Sequence, residues 1–412
     1  MLANHTSDNE ARSQGGPLLQ GTSIVCLASI DWAFNWQLPQ EVASAFANNR
    51  NRVLFVENTG VRRATFRDAP RLRARFRNWR RAAGGVTSAG HGVDVFSPLL
   101  LPLPHSRLAG VINAHVLLRV VRRWLGDDHD RPLIVITFLP TLLARAVIRG
   151  LNPALVVYYC ADRLAESSPG ARKIGRSEPQ LLAETDLVLV TAMGLRPAES
   201  RLAARVELLP CGVRFQEFAR ARAADSEPPS AFSRLSGPVI GFVGSLRNEI
   251  DLPLLTRAAE LVPDLNFVLI GPVHADARRL AARPNVRLLG PVPHPEVVRH
   301  MVHFDVGILP YVLNGFTASM MPMKLKEYLA AGLPVVSTPL PEVCRFAGEH
   351  AGVVAFATDA PSFVAALRAA LASNGPAEVA RWIAVAERYD WTEQMSRMSA
   401  LMESALAARQ RR

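Results

Sequence analysis

The chain has 412 residues, 49% apolar and 20% charged, a globular balance that excludes a disulfide-stapled miniprotein, a collagen-like repeat and a disordered chain. At about 100 to 200 residues per domain, two or three domains with their own cores are expected. Net charge is +11 and lopsided, since 29 of the 47 basic but 18 of the 36 acidic residues lie at or before residue 222. The longest apolar runs, 99–103 and 133–139, fall well short of the ~18 residues of a membrane span.

Residues 1–20 are polar and carry Asp8 and Glu10 without the basic start and apolar middle of an export signal, which predicts a disordered tail. From residue 21 short β-branched runs at 24–28, 53–57, 93–96, 133–138, 155–160 and 187–190 alternate with helical patterns, as a parallel sheet with crossover helices requires. Between the second and third runs, residues 61–81 hold nine arginines against the single acid Asp68, with Leu72, Phe76 and Trp79 at helical spacing. This predicts a basic amphipathic helix suited to an anionic bilayer, with Arg71, Arg73, Arg75, Arg77 and Trp79 as its contact set. A solvated surface helix is the alternative. Nucleic acid is not expected, because no zinc finger, recognition helix or RNA-binding aromatic motif accompanies the charge.

A first domain over 21–218 gives way to an aperiodic, Pro- and Ser-rich stretch at 219–237 that reads as a linker. Runs at 239–243, 267–270, 286–289, 306–309 and 335–337 then predict a second doubly wound domain over 238–388, followed by a C-terminal helix, 389–412, crossing back. Ligands in such sheets bind beyond the carboxyl ends of the strands, which directs attention to Asp31, Glu57, Asp162, Gly271, the segment 244–247 and the loop 310–317.

Four widely separated cysteines, Cys26, Cys160, Cys211 and Cys344, form no C-x-x-C pair, so neither a zinc knuckle nor a disulfide framework is indicated and a reducing cytoplasm fits. Asp128-His129-Asp130 has a D-x-D spacing but precedes a strand, at the wrong edge of the sheet for a metal site. His300 and His303 lack a third ligand, and the G-x-x-G of Gly241 and Gly244 is not a dinucleotide fingerprint, so neither metal nor NAD is expected.

The most informative segment is 321–338, MPMKLKEYLAAGLPVVST. Lysine is rare, with Lys173, Lys324 and Lys326 against 44 arginines, yet two of the three fall here. A compact ammonium near a helix start suits a diphosphate, and Glu327, three residues after Lys324, lies on the same face, where a carboxylate can accept both hydroxyls of a ribose. An intrahelical Lys–Glu pair is the structural alternative. Gly332 should end the helix before a buried strand.

P-x-K-L-x-E-Y-L-A-A-G-L-P-V-V resembles the nucleotide-sugar segment of GT-B glycosyltransferases, particularly the bacterial enzymes of capsular and extracellular polysaccharide synthesis. GFVGSLRNEIDL (241–252), FDVGILPY (304–311) and YDWTEQ (389–394) agree with it. The likeness is looser over 21–215, where it rests on DWAFNWQLPQ (31–40), VLFVEN (53–58) and YYCADRL (158–164). The resemblance implies two Rossmann-like domains facing a cleft, with the donor on the second and a glycan or polyprenyl-diphosphate-linked acceptor on the first.

It also implies that Glu327 holds the ribose of a UDP- or GDP-linked sugar and that Lys324 and Arg247 stabilise the departing diphosphate without a metal or other cofactor. Gly244, Ser245, Thr317 and Met323 complete the donor set. Many relatives carry a second Glu eight residues before the ribose carboxylate; Ser319 stands there, which leaves the anomeric outcome open. An inverting reaction needs a base, for which Asp162, in a segment like that of xanthan-type glucuronosyltransferases, is the candidate and Asp31 the reserve. A helix N-cap is the competing role for Asp162. A peripheral enzyme on the inner face of the cell membrane is thus expected, with a nucleotide-sugar epimerase or a non-catalytic scaffold as alternatives.

Overall fold

The computed structural model describes residues 19–33, 36–57, 85–101, 106–127, 130–161, 177–196, 200–224, 227–233 and 235–411. The chain divides into two compact units, Met1–Thr191 with Arg196–Leu209 and Thr392–Arg412, and Ala192–Leu195 with Pro210–Trp391. The basic segment 61–81, Asp128, His129 and Asp162 lie outside the described residues.

In the first unit, β1 (Ser23–Leu27), β2 (Arg52–Val56), β3 (Val86–Ala89), β4 (Val93–Phe96), β5 (Leu133–Thr137), β6 (Leu155–Cys160), β7 (Leu187–Val190) and β8 (Val206–Leu208) form one sheet in the order β3-β4-β2-β1-β5-β6-β7-β8. All neighbours are parallel except β3 and β4. The central strands β1 and β6 are buried throughout, which is why they read as unbroken apolar runs rather than alternating ones. Helices α1 (Leu38–Asn48), α2 (Arg107–Leu125), α3 (Leu142–Leu151) and the short α4 (Glu178–Leu182) lie between the strands. Ser106 and Thr141 cap α2 and α3 by accepting the N–H groups of Ala109 and Ala144.

The second unit carries α5 (Phe215–Ala223), then β9 (Val239–Val243), α6 (Leu252–Leu261), β10 (Asn266–Ile270), α7 (Arg278–Ala281), β11 (Val286–Gly290), α8 (His294–Met301) and β12 (Val306–Leu309). The short α9 (Gly315–Ala318) leads to α10 (Met323–Ala330), β13 (Val335–Ser337), α11 (Pro341–Glu349), β14 (Val354–Phe356), α12 (Ala360–Ala372) and α13 (Pro376–Glu387). Its sheet is wholly parallel in the order β11-β10-β9-β12-β13-β14, so the direction of winding reverses between β9 and β12. The last helix, α14 (Trp391–Gln410), joins the first unit from Thr392 onward, where Arg409 pairs with Asp186 and Arg205 donates to Ser404 at 3.1 Å.

The residues read as a linker, 219–237, belong instead to the second unit, and the chain changes unit between Leu209 and Pro210. Within that segment Phe232 is buried in the unit's core, as are Phe215 and Phe218 just before it, so these aromatic anchors outweigh the polar composition around them. Three short strands, β3, β8 and β14, have no counterpart among the sequence runs; each sits at a sheet edge and is only partly buried.

Two glycines show how closely the second unit is packed. Gly307 of β12 lies against the ring of Tyr328, and a Cβ there would meet ring carbons at 2.4 Å. Gly348 in α11 has open space around it. Gly307→Ala should therefore cost about 1 to 3 kcal/mol through overpacking. Gly348→Ala should add roughly 0.5 to 1 kcal/mol through helix propensity. Denaturant unfolding followed on the second unit's transition checks both signs.

Candidate functional site

The second unit's winding reversal places the loop after β9 beside the loop after β12. Asp251 N–H donates to the Pro310 carbonyl at 2.7 Å, Val312 N–H to the Glu249 carbonyl at 2.9 Å, and Ile250 bridges Tyr311. A third segment joins them, since Leu246 N–H donates to the Pro272 carbonyl and His274 N–H to the Leu246 carbonyl. Beyond these anchors Arg247, Asn248, Glu249 and His274 line a cavity of about 320 Å³. Arg247 is exposed at its wall, while Gly244 and Ser245 form the half-buried turn from β9 into the loop.

Helix α10 is fixed to the same strand end. Its Tyr328 hydroxyl accepts the Val243 N–H at 2.9 Å, one residue before Gly244. The helix closes as expected at Gly332, whose φ of +80° completes a C-cap in which Leu333 N–H donates to Tyr328 and Gly332 N–H to Leu329. At the helix start, Met323 is half-buried in the first turn. Lys324 and Glu327 form an i,i+3 pair, Nζ to Oε2 2.5 Å. The ammonium and the carboxylate thus meet each other.

Thr317 is placed differently from a ligand contact. It is fully buried, its hydroxyl donates to the Val312 carbonyl at 2.6 Å, and with Asn314 it forms a reciprocal cap of α9. The residue shapes the loop after β12. Ser319 is buried as well, its hydroxyl donating to the Phe316 carbonyl at 3.3 Å.

In the first unit Asp31 is half-buried in the loop after β1. The neighbouring Trp32 N–H donates at 2.9 Å to Oε1 of Glu57, a buried carboxylate just past β2, and its ring packs edge-on against Phe55 and Trp36. The structure thus brings Asp31 and Glu57 to one sheet edge. His300 proves to be a core residue: its ring Nδ1 meets the Glu296 carbonyl at 2.7 Å and it packs against Phe232.

Two charged side chains escaped the sequence reading. Lys326 is 1% exposed, and its Nζ donates to the Cys211 carbonyl at 2.6 Å while standing 4.5 Å from the Tyr389 ring centroid. Those two partners belong to the segments by which the chain enters and leaves the second unit, and they are zipped together by Val213 N–H to the Tyr389 carbonyl and Trp391 N–H to the Val213 carbonyl. Glu342, 3% exposed, accepts the N–H groups of Met193 and Gly194 at 3.1 and 2.8 Å, and so holds 192–195 against the second unit. Only the clustering of two of the three lysines in an arginine-rich chain hinted at Lys326. Glu342 meets partners nearly 150 residues away, which no local pattern encodes.

Residues 237–373 match the family described as Glycosyl transferases group 1. Over 237 residues the chain is 29% identical to the putative teichuronic acid biosynthesis glycosyltransferase TuaH of Bacillus subtilis (strain 168), a match covering 53% of this chain and 59% of that relative's length. Sucrose-phosphate synthase from Thermosynechococcus elongatus superimposes with a TM-score of 0.67 at 17% identity, over 94% of this chain and 100% of that one. HepE of Anabaena, in complex with UDP and glucose, gives 0.65 at 14% over 93% and 100%. The fold is that of GT-B glycosyltransferases, and the residues matched to the group 1 glycosyltransferase family include the loop after β9 and helix α10.

Burial pushes the Lys326 ammonium down from 10.5 to about 8. Below pH 8 folded and unfolded chains both hold the proton. Between about 8 and 10.5 only the unfolded chain does, so this group makes stability rise with pH across that window. The stability of wild type relative to Lys326→Met should therefore climb by up to about 3 kcal/mol between those pH values, measured by denaturant unfolding. A flat difference would mean that the amine is not buried as a charge.

Proposed function

We propose that this protein is an enzyme that transfers a sugar from a nucleotide-diphosphate sugar to a glycan acceptor in cell-surface polysaccharide synthesis. The observation that carries the reading is that the end of β9, at the second sheet's winding reversal, leads into the loop whose Arg247 lines a cavity and also anchors, through Tyr328, the helix bearing Lys324 and Glu327. Ligands of open α/β sheets bind at such reversals. The group 1 domain covers the same residues, and the TuaH and HepE likenesses support a polysaccharide setting and a UDP-sugar donor.

In this reading Glu327 accepts the ribose hydroxyls, and the Lys324 ammonium turns from Glu327 to the diphosphate. Arg247 faces the same phosphates, so two fixed cations take up the negative charge that grows as the glycosidic bond breaks, in place of a metal or other cofactor. Gly244 and Ser245 let the backbone approach the phosphates, and Met323 borders the donor. Ser319 offers no carboxylate for a retaining mechanism of the two-glutamate kind. Asp162 serves as the base that takes the acceptor hydroxyl proton, with Asp31 as the alternative. The acceptor is a polyprenyl-diphosphate-linked or other glycan, met at the inner face of the cell membrane, where the arginines of 61–81 engage anionic lipid.

Calorimetry with UDP and uridine separates the two roles. Lys324→Met should weaken UDP by about tenfold or more, the worth of a charge-assisted contact, and leave uridine nearly unchanged. Glu327→Gln should weaken both. Equal loss of UDP and uridine in the two variants, or none, would contradict the assignment. In a donor panel read by mass spectrometry, wild type should consume one nucleotide sugar only when acceptor is present. Asp162→Asn should still bind UDP without turning over.

A further inference from the structure

We propose that the amino-terminal half of α2, together with Leu101 and Leu142, is the face that seats this protein on an anionic lipid bilayer. The proposal rests on the membrane-associated reading above and names the surface that carries it. Ten large apolar side chains are exposed among the described residues, and half of them are gathered here: Leu108 at 72%, Val111 at 68%, Leu142 at 61%, Leu101 at 44% and Ile112 at 42%.

Leu108, Val111 and Ile112 recur at helical spacing and form one stripe, opposite a face on which Ala109, Leu117 and Val121 are buried against the unit's core. The stripe is therefore surplus to the packing of α2 on its own sheet. Leu142 lies level with it. A Cβ on Gly150 would meet Leu118 at 2.6 Å and Arg122 donates to the Gly150 carbonyl at 2.7 Å, so the two helices touch near their carboxyl ends. Both run antiparallel to β5, one leading into it and one out of it. At 1.5 Å per residue, Leu142 is about 12 Å back from Gly150, and Ile112 and Leu108 are about 9 and 15 Å back from Leu118. Helix α3 starts just past the end of β5, so the patch borders the carboxyl edge of the first sheet, where a doubly wound domain takes its ligand.

Charge selects the occupant. Helix α2 contains four arginines and no acidic residue, and the chain as a whole carries +11. Leucine, valine and isoleucine reaching the acyl boundary while Arg119 and Arg123, exposed farther along the helix, meet headgroup phosphate is the arrangement of an interfacial helix. A second copy of the same face would bring like charges together. Seated in this way, the edge at which an acceptor binds lies at the lipid surface, within reach of a glycan carried on a lipid.

The test uses the full chain with all-phosphatidylcholine vesicles and vesicles half phosphatidylglycerol, read by co-sedimentation. The charge-neutral variant Leu108→Gln/Val111→Gln/Ile112→Gln alters exposed positions only, and its folding is verified by circular dichroism and UDP calorimetry. Wild type should bind the anionic vesicles, and the triple variant should bind them about tenfold less tightly or worse, given the apolar contact removed. Undiminished binding by the triple variant, with binding lost when the arginines of 62–81 become glutamine, would overturn the face and leave membrane association standing. Failure of wild type to bind any vesicle would overturn both, and UDP binding would then report separately on the glycosyltransferase reading. A wild-type dimer that the triple variant converts to monomer in light scattering would show a second copy on this face and overturn the proposal.

Discussion

One eight-residue helix, α10, carries three obligations at once, and the second unit depends on their being compatible. Lys324 and Glu327 occupy its accessible face, Tyr328 reaches the last residue of β9, and Lys326 points away to the Cys211 carbonyl and the Tyr389 ring. A helix this short has little stability of its own, so its position is set by tertiary contacts rather than propensity. Gly307 makes room for the Tyr328 ring, and the cap at Gly332 turns the chain directly into β13. The pair on the accessible face is thereby held still at the strand end where the loop after β9 begins.

Lys326 gives this arrangement a consequence beyond packing. A buried ammonium is expensive, and here it is spent on the two segments by which the chain enters and leaves the second unit. An apolar side chain could fill the same volume without the desolvation cost. What it could not do is bind a main-chain carbonyl on one segment and an aromatic face on the other. The charge therefore fixes those segments to the helix that bears Lys324 and Glu327, and Glu342 holds 192–195 in a similar way by taking two main-chain N–H groups.

Much of this was legible in the sequence, for physical reasons that particular elements make plain. The central strands of both sheets are buried on both faces and announce themselves as apolar runs, and Gly332 marks a helix end because few other residues tolerate its backbone angle. Strands β3, β8 and β14 pair on one side only and are half-covered, so their three or four residues carry no distinctive pattern. The start of the second unit was obscured because alanine, arginine, proline and serine dominate 219–237, although Phe232 within it and Phe218 just before it are buried in that unit's core. Within the candidate site, the pairing of Lys324 with Glu327 follows from residue type and spacing. The commitment of Thr317 to its own loop, and the opposite orientation of two lysines two residues apart, arise only from tertiary contacts.

The scarcity of lysine that drew attention to α10 also provides its sharpest test. With Nζ-15N-labelled lysine the protein yields three ammonium signals, from Lys173, Lys324 and Lys326. Titration with UDP should move the Lys324 signal, as its ammonium leaves Glu327 for phosphate, and leave the buried Lys326 signal where it was. A Lys324 signal unmoved at saturating UDP would place the diphosphate elsewhere and contradict the account of the site.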